Sequence, residues 1–123
     1  MKIAAIAFVQ RGDKLLAIRR ADNGMLAAPG GKVDPGEAPV ETVLRELLEE
    51  TGVRGHHPRL LSVGEGANGY LVHRFMVDIA PDALPWAAEP AITEVLWVTP
   101  EELAAGFGGE FHGPAMREAG LLR

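Results

Sequence analysis

Between residues 38 and 52 the chain carries a helix whose two faces make opposed demands. Val40, Leu44, Leu47 and Leu48 recur at three- and four-residue spacing, the period of one buried stripe, so these four are expected to face a core. Gly52 stands where a helix closes on a left-handed residue. At about 100° per residue, Glu46, Glu49 and Glu50 share a sector of roughly 100° on the other side. Like charges at this spacing destabilise an isolated helix by a few tenths of a kcal/mol. Two arrangements answer that repulsion. The carboxylates can face water, or they can hold a divalent cation, since Mg²⁺ takes hard oxygen ligands and keeps several of its waters.

Around this helix the pattern is mostly strand. Residues 2–10 and 14–20 read as two strands joined by the turn Arg11-Gly12-Asp13. After the loop Ala21-Asp22-Asn23-Gly24, the segment Met25-Leu26-Ala27-Ala28 runs into Pro29-Gly30-Gly31, which suits a tight turn. Residues 59–65 and 69–79 read as two further strands, the second with Leu71, Phe75, Val77 and Ile79 on one packed face. His73 shares that face, and His56-His57-Pro58 reads as a surface loop. A proline-rich loop, residues 81–90, leads to a strand over 93–98, in which Trp97 is expected to be core. Thr99-Pro100 opens a helix as N-cap and first helical residue. The run Gly106-Phe107-Gly108-Gly109 ends it, and a last short helix is expected over 113–121. Some strands are joined by turns too short for a parallel crossover. The expected architecture is therefore α/β, a mixed sheet flanked by helices, in one domain over residues 1–123.

Composition narrows the chemistry. The chain has no cysteine, which excludes disulfides, thiolate metal sites and cysteine nucleophiles and suits the cytoplasm. Its formal charge is −5, with no basic patch of the kind that grips a nucleic-acid polymer. The apolar run over residues 1–9 is too short to span a membrane. The expected partner is a small molecule, and the protein is expected as a monomer or a homodimer.

The acidic helix belongs to a longer pattern. Gly31 is followed after five residues by Glu37, and after seven more by Arg45-Glu46-Leu47-Leu48-Glu49-Glu50-Thr51-Gly52-Val53. This resembles the Nudix signature: Gly, five residues, Glu, seven residues, then Arg-Glu-aliphatic-any-Glu-Glu-any-Gly-aliphatic. Every specified position is filled over residues 31–53. The resemblance implies a Nudix-type α/β/α sandwich that hydrolyses a diphosphate linkage with Mg²⁺, for which Mn²⁺ can substitute. It assigns the metal to Glu46, Glu49, Glu50 and the Gly30 carbonyl, with Glu37 and Arg45 orienting the group. Arginine suits that task because its planar fork can bind two carboxylates at once. Glu89 matches the family's extra acidic ligand by position. The base that takes a proton from the attacking water is not fixed in the family; Glu46, Glu49, Glu89 and Glu94 are the candidates.

For substrate, Arg19-Arg20-Ala21 and Ala28-Pro29-Gly30-Gly31-Lys32 resemble the MutT-like branch, which cleaves nucleoside triphosphates. That likeness implies that Arg20 reaches the nucleotide, with Lys32 and His112 beside it. Two positions depart from the branch: Ala28 replaces an aromatic, and His112 stands in place of an asparagine that reads oxidised guanine. The alternative is a dinucleoside polyphosphate or nucleotide-sugar hydrolase, because Tyr70 lies seventeen residues past Val53, where dinucleoside polyphosphate hydrolases carry a tyrosine. A third reading, of another class, is a non-catalytic nucleotide-binding module. Such modules lose glutamates of the signature, and this chain keeps them.

Overall fold

The first strand is apolar on both of its faces, and both are buried. In chain order the elements are β1 (Ile3–Phe8), β2 (Gln10–Arg11), β3 (Lys14–Arg20), β4 (Leu26–Ala27), β5 (Gly30–Lys32), α1 (Pro39–Thr51), β6 (His56–Glu65), β7 (Leu71–Asp78), β8 (Ile92–Val98), α2 (Pro100–Ala104) and α3 (Gly109–Glu118). The computed structural model describes residues 1–123. No helix in it is long and apolar enough to cross a membrane.

The mixed sheet runs β5-β1-β7-β6, with β1 and β7 parallel and the outer pairs antiparallel. On one face Ile6, Phe8 and Val72 pack with Leu15, Val98, Leu103 and Met116, a core shared with the second sheet, α2 and α3. On the other, Ala5, Ala7, Val9, Phe75 and Val77 pack against Leu16 and against Val43 and Leu47 of α1. Thus β7 is covered on both sides and not only on the expected face, with Val72, Arg74 and Met76 toward one core and Phe75 and Val77 toward the other, because it is an interior strand with a core above and below.

The second sheet corrects the expected first hairpin. A continuous strand over residues 2–10 does not form; β1 ends at Phe8, Val9 crosses between sheets, and only β2 pairs with β3 around Gly12, at φ +61°. β3 then takes β4 on the same edge and β8 on the other. Gly30 and Gly31 are likewise not a turn but the start of edge strand β5, after a bend at Pro29, with Gly30 opposite Ile6 and Gly31 opposite Ala5.

Helix α1 ends as expected on Gly52, at φ +71°, whose N–H donates to the Leu48 carbonyl. Its buried face is shifted from the expected one. Val40 and Leu48 are 39% and 40% exposed, and the covered residues are Thr42, Val43, Leu47, Glu50 and Thr51. Polar side chains can occupy this stripe because they are bonded there: the Thr51 hydroxyl donates to the Leu47 carbonyl at 2.7 Å, and that of Thr42 donates to Glu37. Strand β6 begins at His56 instead of residue 59, although His56 and His57 are exposed as a surface loop would be. Helix α3 begins four residues before the expected start, on Gly108 at φ +75°. Trp97 is only half-buried, its ring covered by the Arg11 guanidinium at 4.5 Å.

Candidate functional site

Glu46 and Glu50 lie one turn apart on α1, and Glu89 joins them from the loop between β7 and β8. One carboxylate oxygen of each lies within 4.8 Å of the other two. The loop is pinned by its backbone. Trp86 and Ala88 donate N–H to the carbonyls of Thr51 and Glu50, both at 3.0 Å, which occupies acceptors that a helix end leaves free.

Glu50 is only 6% exposed, and its Oε1 accepts the Gly30 N–H at 2.9 Å. Burial pushes its carboxyl up to about 8 against the pull of that bond, and the nearby Glu46, Glu89 and Glu49 add to the rise. Burial raises Glu46 as well, opposed by Arg45. Sheet geometry aims the glycine. The ladder to β1 uses the Pro29 carbonyl and the Val33 N–H, so alternation turns the N–H and carbonyl of Gly30 away from β1, to the side where Glu50 stands. A Cβ at Gly30 would stand 2.3 Å from the Ala5 carbonyl oxygen, and one at Gly31 would stand 2.6 Å from the Glu46 carboxyl. Gly30 therefore needs glycine for its approach to the β1 backbone, whereas a side chain at Gly31 would have to push the Glu46 carboxyl aside.

Arg45 ties the remaining acids together. Its Nε and Nη2 donate to the two oxygens of Glu37 at 2.7 and 2.9 Å, and its Nη1 donates to Glu46 and Glu49, each at 2.9 Å. These bonds hold Arg45 above its ordinary range. In return, Arg45 first and the Thr42 hydroxyl second bring the Glu37 carboxyl down to about 2. Glu49 is thus bound to Arg45 on the exposed side and stands outside the close trio. Glu94, a candidate base, pairs with Arg19 at 2.9 Å on the surface and is not part of the cluster. Asp34, 3.3 Å from Arg45, was not expected here; no spacing in the sequence marks it.

Three crowded carboxylates, two of them raised, call for a positive charge among them. Arg45 supplies one to Glu46 but forms no ion pair with Glu50 or Glu89. The donors are all hard oxygens, a set that fits Mg²⁺ or Mn²⁺.

Beside this cluster a cavity of about 610 Å³ opens between the sheets, with Gly30, Gly31 and Glu50 in its wall. Arg20, Lys32, Tyr70 and His112, four residues singled out from distant parts of the sequence, all line it. Arg20 holds Asp22 through two bonds, at 2.7 and 3.0 Å, and lies 3.9 Å over the Phe107 ring. Lys2 and Lys32 lie 4.9 and 6.0 Å from the Tyr70 ring centre. Buried His112 accepts a hydrogen bond from Arg74 at 2.8 Å. Arg74 is 3% exposed and escaped the sequence reading, because an arginine inside a strand gives no sign that it points into a core.

The family model described as NUDIX domain matches residues 1–119. A "MutT-like protein" of Streptomyces ambofaciens is 35% identical over 96 residues, which covers 78% of this chain and 62% of that one. The chain therefore spans about three-fifths of that relative's length. Among solved structures, a MutT NUDIX hydrolase from Burkholderia pseudomallei superposes with a TM-score of 0.67 at 28% identity, over 83% of this chain and 85% of that one. A NUDIX hydrolase from Nitrosomonas europaea superposes with a TM-score of 0.77 at 23% identity, over 98% and 90%, a likeness of fold.

Proposed function

The chain belongs to the Nudix family, and from that premise we propose that it hydrolyses a diphosphate linkage in a nucleoside triphosphate or a related nucleoside diphosphate derivative, with Mg²⁺ held by Glu46, Glu50, Glu89 and the Gly30 carbonyl. The observation that carries this reading is the close carboxylate trio, Glu50 buried and Glu46 and Glu89 half-buried, standing in and beside the wall of a cavity of nucleotide size. Similarity to proteins named as MutT and Nudix hydrolases supports the same substrate class.

Each side chain has a task in this reading. Bound among the carboxylates, the cation supplies charge neutralisation for the phosphoryl oxygens and makes water more acidic. Arg45 and Glu37 fix the rotamers of Glu46 and Glu49, so the acids are in place before substrate arrives. One of Glu46 and Glu49 is the base that takes the proton of the attacking water. Lys32 and Arg20 face the cavity as the cations that meet the phosphate chain. Tyr70 and Phe107 offer rings on which a base can stack, worth roughly 1–3 kcal/mol per base. The site works as one domain on a small molecule, without a nucleic-acid polymer or a membrane.

The test is a nucleotide panel incubated with Mg²⁺, with phosphate and pyrophosphate both quantified. Release of either from at least one nucleotide is expected. A ligand that stabilises the fold yet stays intact through long incubation with Mg²⁺ and Mn²⁺ would favour a non-catalytic binding module instead.

A further inference from the structure

The loop between β7 and β8 carries Glu89 into the carboxylate cluster against the charge of Glu46 and Glu50, so other contacts must hold it there. Both of its ends are tied down. At the start, Nη2 of Arg11 donates to the carbonyls of Ala80 and Ala83, each at 3.2 Å, while the guanidinium covers the Trp97 ring. At the end, the Ala21 N–H donates to the Ala91 carbonyl at 2.9 Å, and the Ile92 N–H closes a turn on the Glu89 carbonyl at 3.1 Å. Between these ties, residues 84–88 make only the two backbone bonds to the end of α1, from Trp86 to Thr51 and from Ala88 to Glu50.

The Trp86 side chain lies on the same helix end. A Cβ on Gly52 would overlap the indole nitrogen and stand 3.0 Å from Cδ1, so the ring sits over the bare glycine, in the space a side chain would fill. Gly52 is glycine for its φ of +71°, and the indole uses the same missing atom. Yet Trp86 is 62% exposed and belongs to none of the core clusters. Nor does it line the cavity. A ring that meets the helix by its pyrrole edge alone holds its loop, not the fold and not the substrate.

We propose that Trp86 is a positioning residue for the divalent ion: its indole, seated on Gly52, clamps the loop to the end of α1 and keeps the Glu89 carboxylate beside Glu46 and Glu50 before a cation arrives. The ring and N–H of Trp86 fix the loop at Gly52 and Thr51, and the Ala88 N–H fixes it at Glu50. Glu89 is the next residue, so little backbone is left free to swing it away. A loop ordered in advance spares the cation the entropy of ordering it on binding. This inference rests on the reading of Glu46, Glu50 and Glu89 as the cation's ligands.

The experiment measures Mn²⁺ binding to the full chain by electron paramagnetic resonance, without nucleotide. Trp86→Ala is expected to weaken binding roughly tenfold, the lower end of what supporting residues of a metal site contribute. Trp86→Phe, which keeps an aromatic ring at Gly52, should bind within about threefold of the unmodified protein. Adding Trp86→Ala to Glu89→Gln should weaken binding no further than Glu89→Gln alone, because the clamp acts only through that carboxylate. Hydrogen exchange of the unmodified protein should find the Ala88 amide protected, a readout that needs no variant to fold. Unchanged binding in Trp86→Ala, losses that add in the double variant, or an Ala88 amide that exchanges freely would each overturn this inference and leave the metal site standing. No Mn²⁺ binding by the unmodified protein would overturn the metal reading and this inference with it.

Discussion

The carboxylate site and the cavity share Gly30, Gly31 and Glu50 but are assembled in different ways. Most of the first comes from residues 30–50, where helical period and one edge strand set the spacing, and Glu89 is the only acid of the trio brought from outside. The second takes Ile6, Ile18, Tyr70, Phe107 and His112 from elements that meet only because the two sheets pack face to face. Chemistry placed by local periodicity tolerates drift in the rest of the chain. Recognition placed by register does not, and it is where substrate choice can change without touching the acids.

The largest expected effect separates the two regions by rate. Glu50→Gln should cost about a hundredfold or more in kcat/KM, because it removes the most buried carboxylate of the trio. An unchanged rate would take Glu50 out of the metal site. Gly31→Ala should cost roughly ten- to a hundredfold, since its Cβ would stand 2.6 Å from the Glu46 carboxyl and displace it. Full activity in that variant would show that Glu46 need not sit where it does. On the cavity side, Arg20→Ala should raise KM about five- to tenfold and leave kcat within about twofold, the mark of binding lost equally in ground and transition states. A fall in kcat alone would move Arg20 into the chemistry and blur the division.

The smallest effect is on stability, where the two regions differ in sign. Glu50, raised from 4.5 to about 8, binds a proton more readily in the folded chain. Its contribution is fully present below pH 4.5 and is lost as pH rises through 8, by at most about 1.4 kcal/mol per pH unit. His112, lowered from 6.5 to about 4, does the reverse: its contribution is present above pH 6.5 and is lost as pH falls through 4. Melting curves without divalent cation should show both slopes. Glu50→Gln should remove the alkaline one and His112→Gln the acidic one. If either variant abolishes both, the two groups are coupled and the comparison fails.

What could be read in the sequence follows the same division. Residues 31–53 disclosed the helix, its Gly52 cap and the acids, because their spacing is a property of the helix itself. The exposure of Val40 and Leu48 was hidden, since periodicity cannot tell that Thr42, Glu50 and Thr51 find hydrogen bonds and take their place in the buried stripe. The break at Val9 was hidden because an apolar run looks the same whether it stays in one sheet or crosses to another. Arg20, Lys32, Tyr70 and His112 were each suggested separately, but only the packed fold brings them to one cavity. Arg74 and Asp34 left no mark, as their partners are set by register and loop path.

The central claim is that the Glu46, Glu50 and Glu89 carboxylates enclose a divalent ion. Anomalous diffraction from crystals soaked in Mn²⁺ tests it most directly. The account predicts a peak bounded by those three side chains and the Gly30 carbonyl. A map with no peak there, and with the three carboxyl groups turned apart, would contradict it.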